Sequence, residues 1–293
     1  MSERRSGQGQ PDKTLALLWR NHRRPAAEPT ANDPASQRGT GQQHGTGQQH
    51  GASEQHGAGQ THGAGQRRGA GRRPSLNVDD VVQAGIRLAD QQGLAAASMG
   101  GLAKELGVGT MTLYTYVPSK DELLDLMVDQ VLVERELPGP DTARPEDWRE
   151  QVEIYSQQTR AMFQQHLWLS QVSTIRPPVG PGMLAGREYL LSAVLGLGLS
   201  ATETNTAALA ITTYVDSAAH LEAESRLVER TTGQTNDAWW FERNDLWETY
   251  FDVDRHPAMT AIWHAKGYES TAADSYRYGL DRLLDGIEAM KPL

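Results

Sequence analysis

The sequence predicts an all-α protein. Three observations carry that expectation. From Ser75 onward, apolar residues recur at helical spacing, three and four positions apart. Each stripe is bracketed by residues that start or stop helices. Nowhere does the chain show the period-two alternation of a half-buried strand.

The elements follow in order. Residues 1–74 read as a disordered basic tail, holding 11 Lys/Arg against 5 Asp/Glu. That leaves −15 on residues 75–293 within a total charge of −9. A basic tail on an acidic body points to a polyanion partner. Residues 41–70 are five Gly/Gln-dominated hexads without large apolar residues, so nothing offsets the entropy of ordering them. Asn77 is placed to cap a first helix with the stripe Val78, Val81, Val82, Gly85, Ile86, Ala89, and Gly93 ends it. Ser98 caps a second, short helix carrying Leu102, Ala103 and Leu106, which Gly107 breaks. Thr110 to Tyr116 forms a third. Ser119-Lys120-Asp121-Glu122 reads as a capping box opening a fourth helix with Leu123, Leu124, Met127, Val128, Val131 and Leu132 on one stripe. Further helices are expected over about 146–166, 183–197, 202–229, 238–251, 257–265 and 271–290.

Composition narrows the function. The chain has no cysteine, which excludes disulfides, thiolate catalysis and Cys-type zinc sites. His44, His50, His56 and His62 recur every six residues but read as weak chelators, and no metal or cofactor is expected. Neither HExxH, a P-loop nor a nucleophile elbow occurs, so no enzyme is expected. The longest mostly apolar run, Tyr189 to Leu199, is far short of the ~20 residues that cross a bilayer. Leu15 to Trp19 is shorter than a secretory core of ~7–15 residues. A cytoplasmic chain with no membrane partner is expected.

The stretch 106–124, LGVGTMTLYTYVPSKDELL, meets the demands of a helix-turn-helix together. Ala103 permits close helix crossing, and Gly107 suits the turn. Leu102, Leu106, Val108, Leu113 and the Tyr116 ring anchor both helices. The remaining face of the second helix offers Thr110, Met111, Thr112, Tyr114 and Thr115 to a major groove. Two features weigh against this. Residues 75–125 hold three basic residues against seven acids, although phosphate neutralisation supplies most non-specific affinity. Gly100 and Gly101 lower helix propensity by roughly 1 kcal/mol each. A helical interaction protein with a degenerate head is the alternative.

LAKELGVGTMTLYTYVPSKDELLDLM, residues 102–127, resembles the TetR-type transcriptional regulators, in particular the tetracycline-repressor branch. The resemblance implies a DNA-binding head over 75–122 and a ligand-binding, dimerising helical body over 123–293. It implies a homodimeric repressor on a palindromic operator, released by a small-molecule effector. Mapped onto this chain, it assigns DNA contacts to Ser98, Thr110, Met111, Thr112, Tyr114, Thr115, Tyr116 and Lys120, with Arg72 and Arg73 as an upstream arm. Candidate effector contacts are Trp148, Tyr155, Met162, Phe163, Trp168, Tyr189 and Tyr214. A four-helix dimer interface is implied through Tyr276, Leu280, Leu283, Leu284 and Ile287 on the last helix and Ala210, Ser217 and Leu221 on the long one.

Overall fold

In a computed structural model of the chain, residues 4–7, 10–22 and 76–292 are described. The hexads with their histidines, and Arg72 and Arg73, lie outside those residues.

The head is three helices, α2 (Val78–Gln92), α3 (Met99–Leu106) and α4 (Thr110–Tyr114). Asn77 caps α2 in a reciprocal box with Asp80, and Ser98 caps α3. Gly107 takes the left-handed conformation (φ 65°) that lets the chain turn between α3 and α4. Gly101 is required by space. A Cβ there would lie 2.2 Å from the Ala96 carbonyl oxygen, whereas Gly100 faces nothing within 4 Å.

Helix α5 (Lys120–Val133) runs unbroken across the expected domain boundary at 122/123. The apolar cluster of the head likewise continues into the body through Met162, Phe163, Trp168, Leu169, Ala219 and Ala223. Head and body therefore share one core around α5. The body packs α6 (Trp148–Gln165), α7 (Pro181–Leu195) and α8 (Ala201–Thr232) against one another, and α11 (Ala272–Glu288) lies on α8. At 32 residues, α8 spans about 48 Å. Between α8 and α11 the chain makes an excursion. The single helix expected over 238–251 is instead α9 (Asn236–Phe241) followed by one π-helical turn at Leu246–Tyr250, and then α10 (Pro257–His264). None of these three short elements has a buried residue.

Two expectations are corrected. The first concerns the tail, whose described part is ordered. A short strand β1 (Arg4–Arg5) pairs in parallel with β2 (Val172–Ser173), and α1 (Pro11–Leu18) packs on α5. An isolated eight-residue helix is unstable in water, so α1 depends on docking. The Leu15 to Trp19 patch supplies the docking face, with Leu18 buried and Leu17 and Trp19 packed on the core. The second concerns the capping box at Ser119. Ser119 Oγ accepts the Asp121 and Glu122 amides as expected, but the Glu122 carboxylate does not return to the Ser119 amide. It accepts from the Ser119 hydroxyl and from the Gln10 amide at 3.0 Å.

The two adjacent glycines of α3 should respond oppositely. Gly100→Ala should stabilise the head by up to about 1 kcal/mol, because it adds helix propensity in open space. Gly101→Ala should destabilise it by about 1–3 kcal/mol, because the backbone at Ala96 must move. Denaturant melts of the two variants check the pair.

Candidate nucleic-acid interface and its connection to the body

Helix α4 is anchored behind and open in front. Leu113 and, just past the helix, Val117 are fully buried. Thr110, Met111, Thr112, Tyr114 and Thr115 are exposed, Met111 at 77% and Tyr114 at 42%. Tyr116 is half-buried against the core, at the edge of this set. Ser98 is occupied as the α3 cap, its hydroxyl accepting the Gly101 amide at 3.1 Å. Lys120 is exposed at the first turn of α5.

Most of the head's acids have partners within the chain. Asp79 pairs with Arg20 and lies below the usual carboxylate range; burial works against this, and the Arg20 and Asn21 contacts outweigh it. Asp80 serves the α2 cap. Asp90 binds His166 and the Trp168 indole, each at 2.9 Å. Glu122 and Asp125 accept the Gln10 and Gly7 amides at 3.0 and 2.7 Å. Five of the seven head carboxylates are thus engaged within the chain. Sequence counting alone could not reveal this.

His166, at the end of α6, joins head to body. Its Nδ1 lies 2.9 Å from Asp90 on α2, and its Nε2 lies 2.9 Å from Glu134 at the end of α5. The ring is 2% exposed. Burial disfavours its charge, but the two carboxylates outweigh that and raise its pKa above the ordinary 6.5. Arg230 on α8 reaches the Asp90 and Gln91 carbonyls at the end of α2.

Deeper in the body, Arg135 sits just past α5, 4% exposed. It donates to Tyr155 Oη at 3.3 Å and to the Gly182 carbonyl at 3.1 Å. Tyr155 donates to Asp216 on α8 at 3.3 Å. Burial pushes Asp216 up to about 6, against the pull of Arg135, and pushes Tyr155 up to about 12. No motif in the sequence marks this network; its members are 20 and 61 residues apart.

The expected effector contacts divide into two groups. Trp148, Tyr155 and Tyr189 are buried in one cluster formed by α6, α7, α8 and α11. Tyr214 lies beside them, stacked on Tyr276 at 5.6 Å. Met162, Phe163 and Trp168 belong to the cluster that continues into the head. Trp148 is tied to Glu288 at 2.8 Å.

The expected interface stripe also divides. Leu280, Leu284 and Ile287 are buried within their own chain, packed with α6, α7 and α8. The stripe on α11 is amphipathic because it seals the body, so these three are not presented to another copy. Ala210, Tyr276 and Leu283 are half-buried, while Ser217 and Leu221 are exposed. Exposed apolar residues the sequence did not single out include Leu209 and Val228 on α8 and Tyr278 on α11. The excursion adds an aromatic cavity of about 750 Å³, with Trp240, Trp247, Phe251, Trp263 and Tyr268 among its walls. Among the described residues, no three His, Asp or Glu side chains converge to hold a metal, and no helix is long and apolar enough to cross a membrane.

The His166 clamp sets a pH dependence. Its folded-state pKa is raised, so its stabilisation is fully present below about pH 6.5 and is lost as pH rises through the folded-state value. His166→Gln should remove that slope and cost on the order of 1–3 kcal/mol at pH 6. Melts of both proteins from pH 5.5 to 9 check this.

With this geometry in place, comparisons with known proteins converge. Residues 81–127 match the family model "Bacterial regulatory proteins, tetR family", and residues 140–291 match "Tetracyclin repressor-like, C-terminal domain". The HTH-type transcriptional repressor DrrR1 of Streptomyces coeruleorubidus is 36% identical over 218 residues, which are 74% of this chain and 79% of that one. Among solved structures, the Streptomyces coelicolor protein ActR in complex with actinorhodin is 27% identical, with a TM-score of 0.62 over 74% of this chain and 97% of that one. ActR in complex with (S)-DNPA gives 0.58 at the same identity, over 73% and 98%.

Proposed function

The chain belongs to the TetR family of DNA-binding transcriptional regulators, and from that premise we propose a cytoplasmic, non-enzymatic repressor that binds a palindromic operator as a homodimer and is released by a small molecule. The exposed face of α4 carries the reading, because a core-anchored helix bares Thr110, Met111, Thr112, Tyr114 and Thr115 together. These residues read base edges in the major groove. Lys120 holds a phosphate at the start of α5, where free amides also favour an anion. Arg72 and Arg73 add backbone contacts upstream.

The effector binds in the body. Trp148, Tyr155, Tyr189 and Tyr214 supply aromatic walls there, and Arg135, Tyr155 and Asp216 supply charge and hydrogen bonds. ActR, solved in complex with actinorhodin, supports a small-molecule effector. A ligand that engages Arg135 acts directly on the end of α5, whose other end carries the head. Met162, Phe163 and Trp168 belong to the cluster that continues into the head, so a ligand reaching them would act on that cluster directly.

Two copies meet through the outer face of α8, with Leu209, Ser217, Leu221 and Val228, and through the exposed aromatics of 236–268. A two-fold axis sets operator half-sites about 34–36 Å apart or a multiple of that. Leu221→Glu should shift the protein toward monomer in analytical ultracentrifugation and weaken operator binding at least tenfold, a loss of about 1.4 kcal/mol.

In vitro selection from random duplexes tests the whole reading. The parent should enrich a palindrome. Tyr114→Ala should weaken binding to it by about 1–3 kcal/mol, and Lys120→Ala should reduce the salt slope by about one. A folded dimer that enriches no sequence would refute the repressor assignment.

A further inference from the structure

The N-terminal segment touches three separate parts of the molecule. Ser6 bonds to the segment before α7. Its amide donates to the Ser173 carbonyl at 3.2 Å, and its hydroxyl reaches the Ser173 and Arg176 carbonyls at 3.1 and 3.0 Å. The Trp19 indole donates to the Val179 carbonyl at 2.9 Å. Between these points, the Gly7 and Gln10 amides donate to Asp125 and Glu122 on α5. Past α1, Arg20 pairs with Asp79 on α2.

We propose that residues 4–7 and 10–22 act as an intramolecular strap that sets the resting position of α5 and so tunes the DNA response of the head; this rests on the repressor reading above. The first support is the chemistry of α5. Glu122 and Asp125 are 3% and 0% exposed. Carboxylates so buried need hydrogen-bond donors, and the strap supplies one to each. The second is the fit at Gly7. Its φ is +72°, and a Cβ there would stand 2.6 Å from the Arg176 carbonyl oxygen, so the contact is built for glycine.

The third support is that the contacts close a circuit. The strap holds α5 at residues 122 and 125 and holds the following segment at 173, 176 and 179. That same segment returns to α5 at Asp129, which accepts the Gly182 and Met183 amides at 3.0 and 3.3 Å. Helix α5 cannot slide or turn against residues 173–183 without breaking one side of the circuit. The strap therefore holds α5 in the position it takes here against residues 173–183. A ligand or partner that lifts it would change operator affinity without touching α4.

The test uses the full chain and a variant, Gly7→Val, that leaves every charge in place. Hydrogen exchange reads strap release at residues 10–18, and titration with the selected operator at fixed salt reads the response. The expected result is faster exchange across 10–18 and α5, with an operator Kd shifted fivefold or more and an unchanged salt slope. Faster strap exchange with a Kd within twofold of the parent and unaltered α5 exchange would overturn the proposal. So would a Gly7→Val strap that stays docked. Should that variant fail to fold, Trp19→Ala, which removes the indole's bond to Val179 together with its packing on the core, is held to the same outcomes. Absence of operator binding by the parent would sink the repressor reading alone. The strap would then stand or fall on whether its release alters α5 exchange.

Discussion

Helix α5 has to bury three carboxylates, and much of the structure answers that need. Nine of its fourteen residues are buried, Glu122, Asp125 and Asp129 among them. The carboxylates recruit backbone amides from two distant stretches of chain: Gln10 and Gly7 in the N-terminal segment, and the Gly182–Met183 pair. An all-apolar helix would pack as tightly but would not fix which segments lie against it. The acids on α5 specify its neighbours through hydrogen bonds that tolerate little displacement.

The same helix joins two kinds of chemistry. Its first turn carries Lys120 beside the open face of α4, and just past its last turn lies Arg135, in contact with Tyr155. Glu134 adds His166 and, through it, Asp90 on α2. Helix α5 and the His166 bridge thus connect the body end to the head directly. That bridge works because His166 is nearly inaccessible to water while its partners keep partial solvation.

Much of the fold was legible in the sequence because it rests on local rules. Asn77, Ser98, Gly93 and Gly107 sit where capping and turn chemistry put them, and five of the six stripe residues expected on α5 are buried, while Leu132 is half-buried and the buried Leu126 lies outside the expected stripe. The α4 face was legible because the buried Leu113 and Val117 leave few alternatives for the residues between. What escaped was long-range. The Leu15–Trp19 patch is too short to announce a helix, and α1 forms only because α5 offers it a surface. Leu280, Leu284 and Ile287 look the same on a helical wheel whether they face a second chain or their own core. Arg135 and Asp216 carry no local signature at all. The split of 238–251 into two short pieces follows from its exposure, since no core contact straightens it.

The shared core bears on how such proteins can be recombined. Joining the head of one regulator to the body of another invites a cut at the sequence boundary near 122/123. Here that cut would fall inside α5, split the cluster that the head shares with residues 162, 163, 168 and 219, and part the N-terminal segment from Asp125, Ser173, Arg176 and Val179. A chimera that keeps its fold has to be cut along the packing, so that residues 4–22, 76–134 and 162–183 travel as one cassette although they are scattered along the chain. The exchangeable unit of this protein is a surface in space, not an interval of sequence.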